Sequence, residues 1–299
     1  MSFSAFLLIF FSAILHVAWN MASKNTNPSV AFYALMSAVA TIIWSPFFFL
    51  FEFQLCALPW QFAVFLVLSI AGEVLYVFGL AHAYRRDDIS LVYPMMRALP
   101  VLLVAGSTCL LRMGEPIGWI AVSGMFLITV GCLLMPLRKW QDFSWRYYLS
   151  PVVRFILLGS FGISLYTVCD GGAMQLIRSA AGQSNIMNTF GYLFLIHFGL
   201  TVGTLMIVII NKNERSTFKQ ISCRTLHPVW AGCCSSCSYA LVLLAMGYVS
   251  NVSYVQAFRQ MSLPFGFFAG ILILKEKATP QRICGIAFIL LGLLCVALG

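Results

Sequence analysis

Four ionisable side chains fall where the surrounding sequence is apolar. They are Glu73 in AGEVLY, Arg97 in PMMRALP, Asp170 in TVCDGG and Arg259 in AFRQMS. A charge in the hydrocarbon core of a bilayer costs roughly 2.5–3.5 kcal/mol on insertion scales, so such residues are functional candidates. Two acids and two bases can pair with one another, as Glu73–Arg97 or Asp170–Arg259, and fix helix register. They can equally hold a ligand that carries both charges. Helical spacing gives each a polar companion on its own face. Tyr76 lines up with Glu73, Tyr93 with Arg97, Tyr166 with Asp170, and Gln256 with Arg259, which Gln260 follows. His16, Trp19 and Asn20 form a similar stripe near the N-terminus. Arg can grip a carboxylate and a carboxylate an ammonium, while Trp19, Tyr76, Tyr93 and Tyr166 can enclose an apolar or cationic portion. These twelve residues are the candidate binding set, and a small zwitterion such as an amino acid or related amine suits them. Glu73 and Asp170 are the candidates for proton coupling, since a buried carboxylate can take up or release a proton as its surroundings change. Pro94 and Pro100 flank Arg97, and Pro264 follows Arg259. Each removes a backbone N–H and frees a carbonyl, so all three are candidate hinges.

The elements that must position these groups are membrane helices. The chain has 299 residues, of which 9% are charged and 61% hydrophobic. Its mean hydropathy is +0.92. Soluble domains carry about 25% charged residues, so a soluble enzyme, a disordered chain and a nucleic-acid-binding domain are excluded. The net charge of +9 speaks to orientation and lipid headgroups. A spanning helix needs about 20 apolar residues, whereas barrel strands alternate over about 10. Ten long apolar runs are visible, near 3–22, 31–51, 60–82, 89–111, 116–136, 152–175, 186–210, 227–247, 252–274 and 282–298. The expected fold is an all-α integral membrane protein of ten transmembrane helices, with no room for a soluble domain. The first run lacks a basic leader and reads as a helix rather than a cleaved signal.

Lys and Arg are distributed unevenly between the two sides. Connections after odd-numbered runs hold fourteen of them and those after even-numbered runs hold two, Arg112 and Arg178. The positive-inside rule then places the basic 138–154 and 211–224 connections in the cytoplasm and both termini outside. The ten cysteines sit mostly inside apolar runs and read as packing residues. Cys234-x-x-Cys237 has no His or carboxylate beside it within the run, so no metal site is expected.

The halves of the chain resemble one another. Ser90 and Val92 match Ser253 and Val255, and Glu115, Gly124 and Gly131 match Glu276, Gly285 and Gly292. The spacing drifts by two residues between these sets. Five helices per half is an odd number, so the second copy must enter the membrane from the opposite side. The organisation expected is a repeat over 1–136, a basic linker over 137–151 and a second, inverted repeat over 152–299. Glu115 and Glu276 are expected at helix starts, favouring the N-terminal dipole. His197 stands alone among apolar neighbours and reads as a packing or interfacial residue. The spacings Gly114-x-x-x-Gly118, Gly199-x-x-x-Gly203 and Gly266-x-x-x-Gly270 fit close helix approach, in a monomer or a homodimer.

The segments HVAWN at 16–20 and LVYPMMRALP at 91–100 resemble the drug/metabolite transporter superfamily, EamA-type branch. So do YTVCDGG at 166–172, FRQMS at 258–262, and the Glu that precedes a Gly by nine residues in each half, Glu115–Gly124 and Glu276–Gly285. The likeness covers essentially the whole chain. It implies a ten-helix carrier of the inner (plasma) membrane, usually an exporter of small metabolites, with a cavity between the halves. Gln260 departs from the acidic residue expected there in many relatives. The family is usually described with both termini in the cytoplasm; the Lys/Arg distribution of this chain points the other way and is preferred. The expected function is thus secondary transport of a small polar or zwitterionic metabolite, with no cofactor and no nucleic-acid partner. A lipid or lipid-carrier flippase on the same fold is the alternative. An intramembrane enzyme fits less well, since no HExxH or GxSxG pattern is present.

Overall fold

The computed structural model describes residues 2–24, 29–50, 58–87, 89–137, 150–181, 186–273, 275 and 278–299. Glu276 and most of the 137–151 linker lie outside the described residues. The fold is all-α, as its apolar runs demand. In chain order the helices are α1 Phe3–Lys24, α2 Val30–Leu50, α3 Trp60–Tyr84, α4 Ile89–Leu110 and α5 Trp119–Leu134. They continue as α6 Pro151–Ala181, α7 Ile186–Ile210, α8 Lys212–Arg224, α9 His227–Ala245, α10 Val252–Phe258, α11 Ser262–Leu272 and α12 Pro280–Leu298. Among the described residues eight helices, α1–α4, α6, α7, α9 and α12, are long and apolar enough to cross a bilayer. The chain is a multi-spanning helical membrane protein.

The ten runs do not become ten equal helices. The fifth, expected from 116, starts only at Trp119 and forms 16 residues of helix, about 24 Å at 1.5 Å per residue. Arg112 at φ 53° and Gly114 at φ 80° turn the chain sharply before it, and Pro116 follows. Glu115 consequently precedes the helix rather than occupying its first turn, and its N–H donates to the Ser250 carbonyl at 3.1 Å. The ninth run is broken into α10, a 3-10 turn at Arg259–Met261 and α11. Pro264 accounts for the break: it has no N–H for the Gln260 carbonyl and crowds the turn before it. Pro94 and Pro100, by contrast, lie within one uninterrupted helix, α4. Of the three expected hinges, the break accompanies Pro264 alone.

The 211–224 connection, expected as a basic loop, contains a helix. Asn211 caps α8 by accepting from the Asn213 N–H at 3.0 Å. Its Glu214 is 1% exposed, accepts the Ala31 N–H at the start of α2 at 2.9 Å, and is ion-paired with Arg85 beyond the end of α3. Three connections that follow odd-numbered runs therefore meet on one face. On the opposite face Ser2 Oγ donates to the Tyr248 carbonyl at 3.1 Å and Tyr254 OH to the Gly299 carbonyl at 3.4 Å. Asn251 Nδ2 donates there to the carbonyls of Met113 and Glu115, at 3.2 and 3.0 Å. Both termini share that face.

The most extensive helix pairings are α3 with α6, α5 with α12, α2 with α7, and α1 with α9. Small residues allow the closest ones. Ser12 Oγ donates to the Ser238 carbonyl and Ser238 Oγ to the Ser12 carbonyl, at 2.8 and 2.9 Å, across α1 and α9. In the α5–α12 pair the contact is backbone on backbone. A Cβ on Gly124 would stand 2.5 Å from the Gly292 carbonyl oxygen, and one on Gly292 would stand 2.5 Å from that of Gly124. Overpacking a tight core costs about 1–3 kcal/mol. Gly124→Ala and Gly292→Ala are therefore expected to lower the melting temperature in detergent. Gly106→Ala in α4, where a Cβ meets open space, is expected to be neutral or to raise it, since Ala gains up to about 1 kcal/mol in helix propensity.

Candidate functional site

A buried cavity of about 50 Å³ lies among the helices, room for a few waters. Eight segments wall it. α1 gives His16 and Trp19, α2 Tyr33 and Ser37, α3 Glu73 and Tyr76, α4 Arg97, α6 Tyr166, α7 His197, α9 Ser235, Ser236, Ser238 and Tyr239, and the 3-10 turn Arg259. Residues three or four apart on one helix share a face, and this brings Glu73 with Tyr76 and His16 with Trp19 to the wall together.

Arg97 is 3% exposed. Its Nε and Nη2 donate to Tyr93 OH at 3.2 and 2.9 Å. Nη2 also meets His16 Nε2 at 2.5 Å, and Trp19 Nε1–H points at His16 Nδ1 at 3.1 Å. A neutral imidazole has one donor and one acceptor, yet both of these neighbours are donors. His16 can accept from only one of them. Arg97 therefore has a partner it can leave for an anionic group. Its Nη1 has no partner among the described residues.

Arg259 is similar. Nη2 donates to Tyr166 OH at 3.1 Å, and the guanidinium lies 5.7 and 5.5 Å from the Tyr166 and Tyr239 ring centres. Aromatic faces attract a cation without neutralising it. Nη1 again lacks a partner. The Asp170–Arg259 ion pair weighed from sequence is absent. Asp170, fully buried, accepts from Ser69 Oγ at 2.5 Å and Tyr192 OH at 2.7 Å on Oδ1, and from Tyr239 OH on Oδ2. It sits behind the wall and holds Tyr239, which in turn faces Arg259. The Glu73–Arg97 pair is absent as well. Glu73 lines the cavity and makes no hydrogen bond with the described residues.

The remaining expected residues fall around this centre. Tyr93 steadies Arg97 from outside the lining. Asn20 Nδ2 donates to the His16 carbonyl of its own helix at 2.8 Å. Gln256 and Gln260 are fully buried beside the cavity. Gln260 Nε2 donates to the Gln256 carbonyl at 3.1 Å, just where the 3-10 turn interrupts the helical ladder. Sequence reasoning read His197 as a packing or interfacial residue and passed over Tyr33, Ser37 and the α9 hydroxyls. A signal for these three was present: Tyr33 and Ser37 are four apart, and Ser235, Ser236 and Ser238 lie in and beside Cys234-x-x-Cys237. Cys233, Cys234 and Cys237 are free thiols.

No family model matches this chain, and no curated protein matches it. A solved structure titled "Crystal structure of protein" has the same fold, with a TM-score of 0.70 at 15% identity over 100% of this chain and 98% of that one. At this identity the likeness concerns the fold alone.

Tyr192 supports Asp170 without lining the cavity. Tyr192→Phe should cost about 1.5–3 kcal/mol, the range for a hydrogen bond to a charged group. Thermal unfolding is expected to register the loss.

Proposed function

We propose that the protein is a secondary transporter, and not an enzyme, for a small polar or zwitterionic metabolite such as an amino acid or amine. One observation carries this reading. Two buried arginines with no ion-paired acid among the described residues face the same cavity as a carboxylate whose side chain has no hydrogen bond with those residues. Arg97 and Arg259 would take the substrate carboxylate and Glu73 its ammonium, with Trp19, Tyr76 and Tyr166 around the remainder. A cavity of about 50 Å³ is too small for such a molecule, so entry requires the helices to part, as alternating access does.

The helix pairings support two inverted five-helix halves spanning the membrane ten times, with α5 and the broken α10–α11 segment as crossings. Exchanging the halves turns the α3–α6 pairing into α9–α1 and returns α2–α7 and α5–α12 to themselves. The glycine contacts exchange likewise, since Gly124 matches Gly285 and Gly131 matches Gly292, while Gly124 meets Gly292 and Gly131 meets Gly285. We read the Arg85–Glu214 face as cytoplasmic from its basic residues, and the protein as an exporter of the inner (plasma) membrane, similar to the drug/metabolite transporters. Glu73 is the better candidate for proton coupling, because it faces the cavity and Asp170 does not.

A lipid-carrier flippase is the second reading. A groove of about 680 Å³ beside α4 and α5, lined largely by apolar residues with Arg112 and Glu115, is the feature that favours it.

Thermal-shift screening of purified protein with amino acids, polyamines, choline-like amines and common metabolites tests the first reading. A ligand that binds the native state raises the melting temperature by mass action. A hit abolished by Arg97→Ala and by Glu73→Gln is expected. Stabilisation that persists in both variants would make these groups structural, and stabilisation by lipids alone would favour the flippase. In proteoliposomes an imposed pH gradient is expected to drive uptake of the hit by the native protein, and Glu73→Gln to lose that drive. Native transport indifferent to the gradient would remove proton coupling.

A further inference from the structure

One group in the cavity wall has no part in that scheme. His197 in α7 is 6% exposed, and neither ring nitrogen has a hydrogen-bond partner among the described residues. Buried polar groups nearly always find partners. Three hydroxyls of α2 and α7 are bonded to carbonyls of their own helices. Ser37 Oγ donates to Ala34 at 3.0 Å, Thr201 Oγ1 to the His197 carbonyl at 2.7 Å, and Thr204 Oγ1 to Leu200 at 2.7 Å. α2 and α7 pack extensively on each other, and neither contains an Asp, Glu, Lys or Arg. The charged lining comes from α3, α4 and the 3-10 turn. This wall has hydrogen-bonding capacity and no formal charge of that kind.

We propose that His197 forms a second, neutral polar subsite of the cavity that binds an uncharged hydroxyl or carboxamide on the substrate. The inference rests on the transporter reading and narrows its substrate class. The charged groups would hold the common carboxylate and ammonium of an amino acid, and His197 would read its side chain. A neutral imidazole donates at one nitrogen and accepts at the other. Hydroxyls and carboxamides also do both. An apolar side chain of the same shape leaves the imidazole unmet, so selection follows hydrogen bonding rather than size.

Calorimetric titration of the purified full chain with two near-isosteric pairs tests this: L-threonine against L-valine, and L-asparagine against L-leucine. The native protein is expected to bind the polar member of at least one pair about tenfold more tightly. His197→Leu should bring that pair to within about threefold. His197→Gln, which keeps a donor and an acceptor, should retain most of the preference. His197→Phe, closer to the imidazole in shape should the Leu variant fail to fold, is expected to cut the preference by about threefold or more. Arg97-dependent binding with no polar preference would overturn the subsite and leave the transporter reading standing. So would a preference unchanged in either His197→Leu or His197→Phe. Failure of all four amino acids to bind the native protein would overturn the amino-acid reading, and the subsite with it.

Discussion

Two guanidinium groups lie inside this bundle with no carboxylate of the described residues bonded to either, and much of the surrounding structure answers that fact. Arg97 and Arg259 are 3% and 8% exposed. Each is steadied by a phenol oxygen and the face of an aromatic ring, which attract a cation and leave its charge uncancelled. Each has an Nη1 without a hydrogen-bond partner among the described residues. Asp170 could have neutralised Arg259, but three hydroxyls occupy both of its oxygens, and its influence reaches Arg259 through the Tyr239 ring. The unspent positive charge belongs to the cavity.

The placement of Arg259 depends on a second local constraint. A regular helix through 252–272 would continue its hydrogen-bond ladder across Pro264, which has no N–H to give. The 3-10 turn at Arg259–Met261 relieves this one turn earlier. Gln260 donates to a carbonyl beside the break, and Ser262 Oγ donates to the Arg259 carbonyl at 3.0 Å. The arginine thus sits on the break itself. Arg97 needs no such turn, and its helix runs unbroken past Pro94 and Pro100.

Much of this could be read from the chain. Apolar length marked the membrane helices, and the cost of charge in lipid marked Glu73, Arg97 and Arg259 as residues of a shared interior. Periodicity gave Tyr76, His16 and Trp19 their places in the wall. What periodicity cannot supply is a partner on another helix. That is why Asp170 binds hydroxyls from α3, α7 and α9 rather than an arginine, and why His197, lone among apolar neighbours in sequence, faces a cavity. Glu214 was hidden in a basic stretch that suggested a loop. Only the packing of α8 shows its carboxylate buried against the start of α2, where an acid meets the positive end of the helix dipole, with Arg85 as its counter-ion.

The α5–α12 crossing has a genetic consequence. At most tight helix contacts an enlarged side chain can be accommodated by shrinking the one opposite. At Gly124 and Gly292 the atom opposite is a peptide oxygen on the other helix. Side-chain exchange cannot move it. A lesion at either glycine has no local second-site suppressor, and selection for revertants should return glycine itself or remote changes that slide one helix along the other.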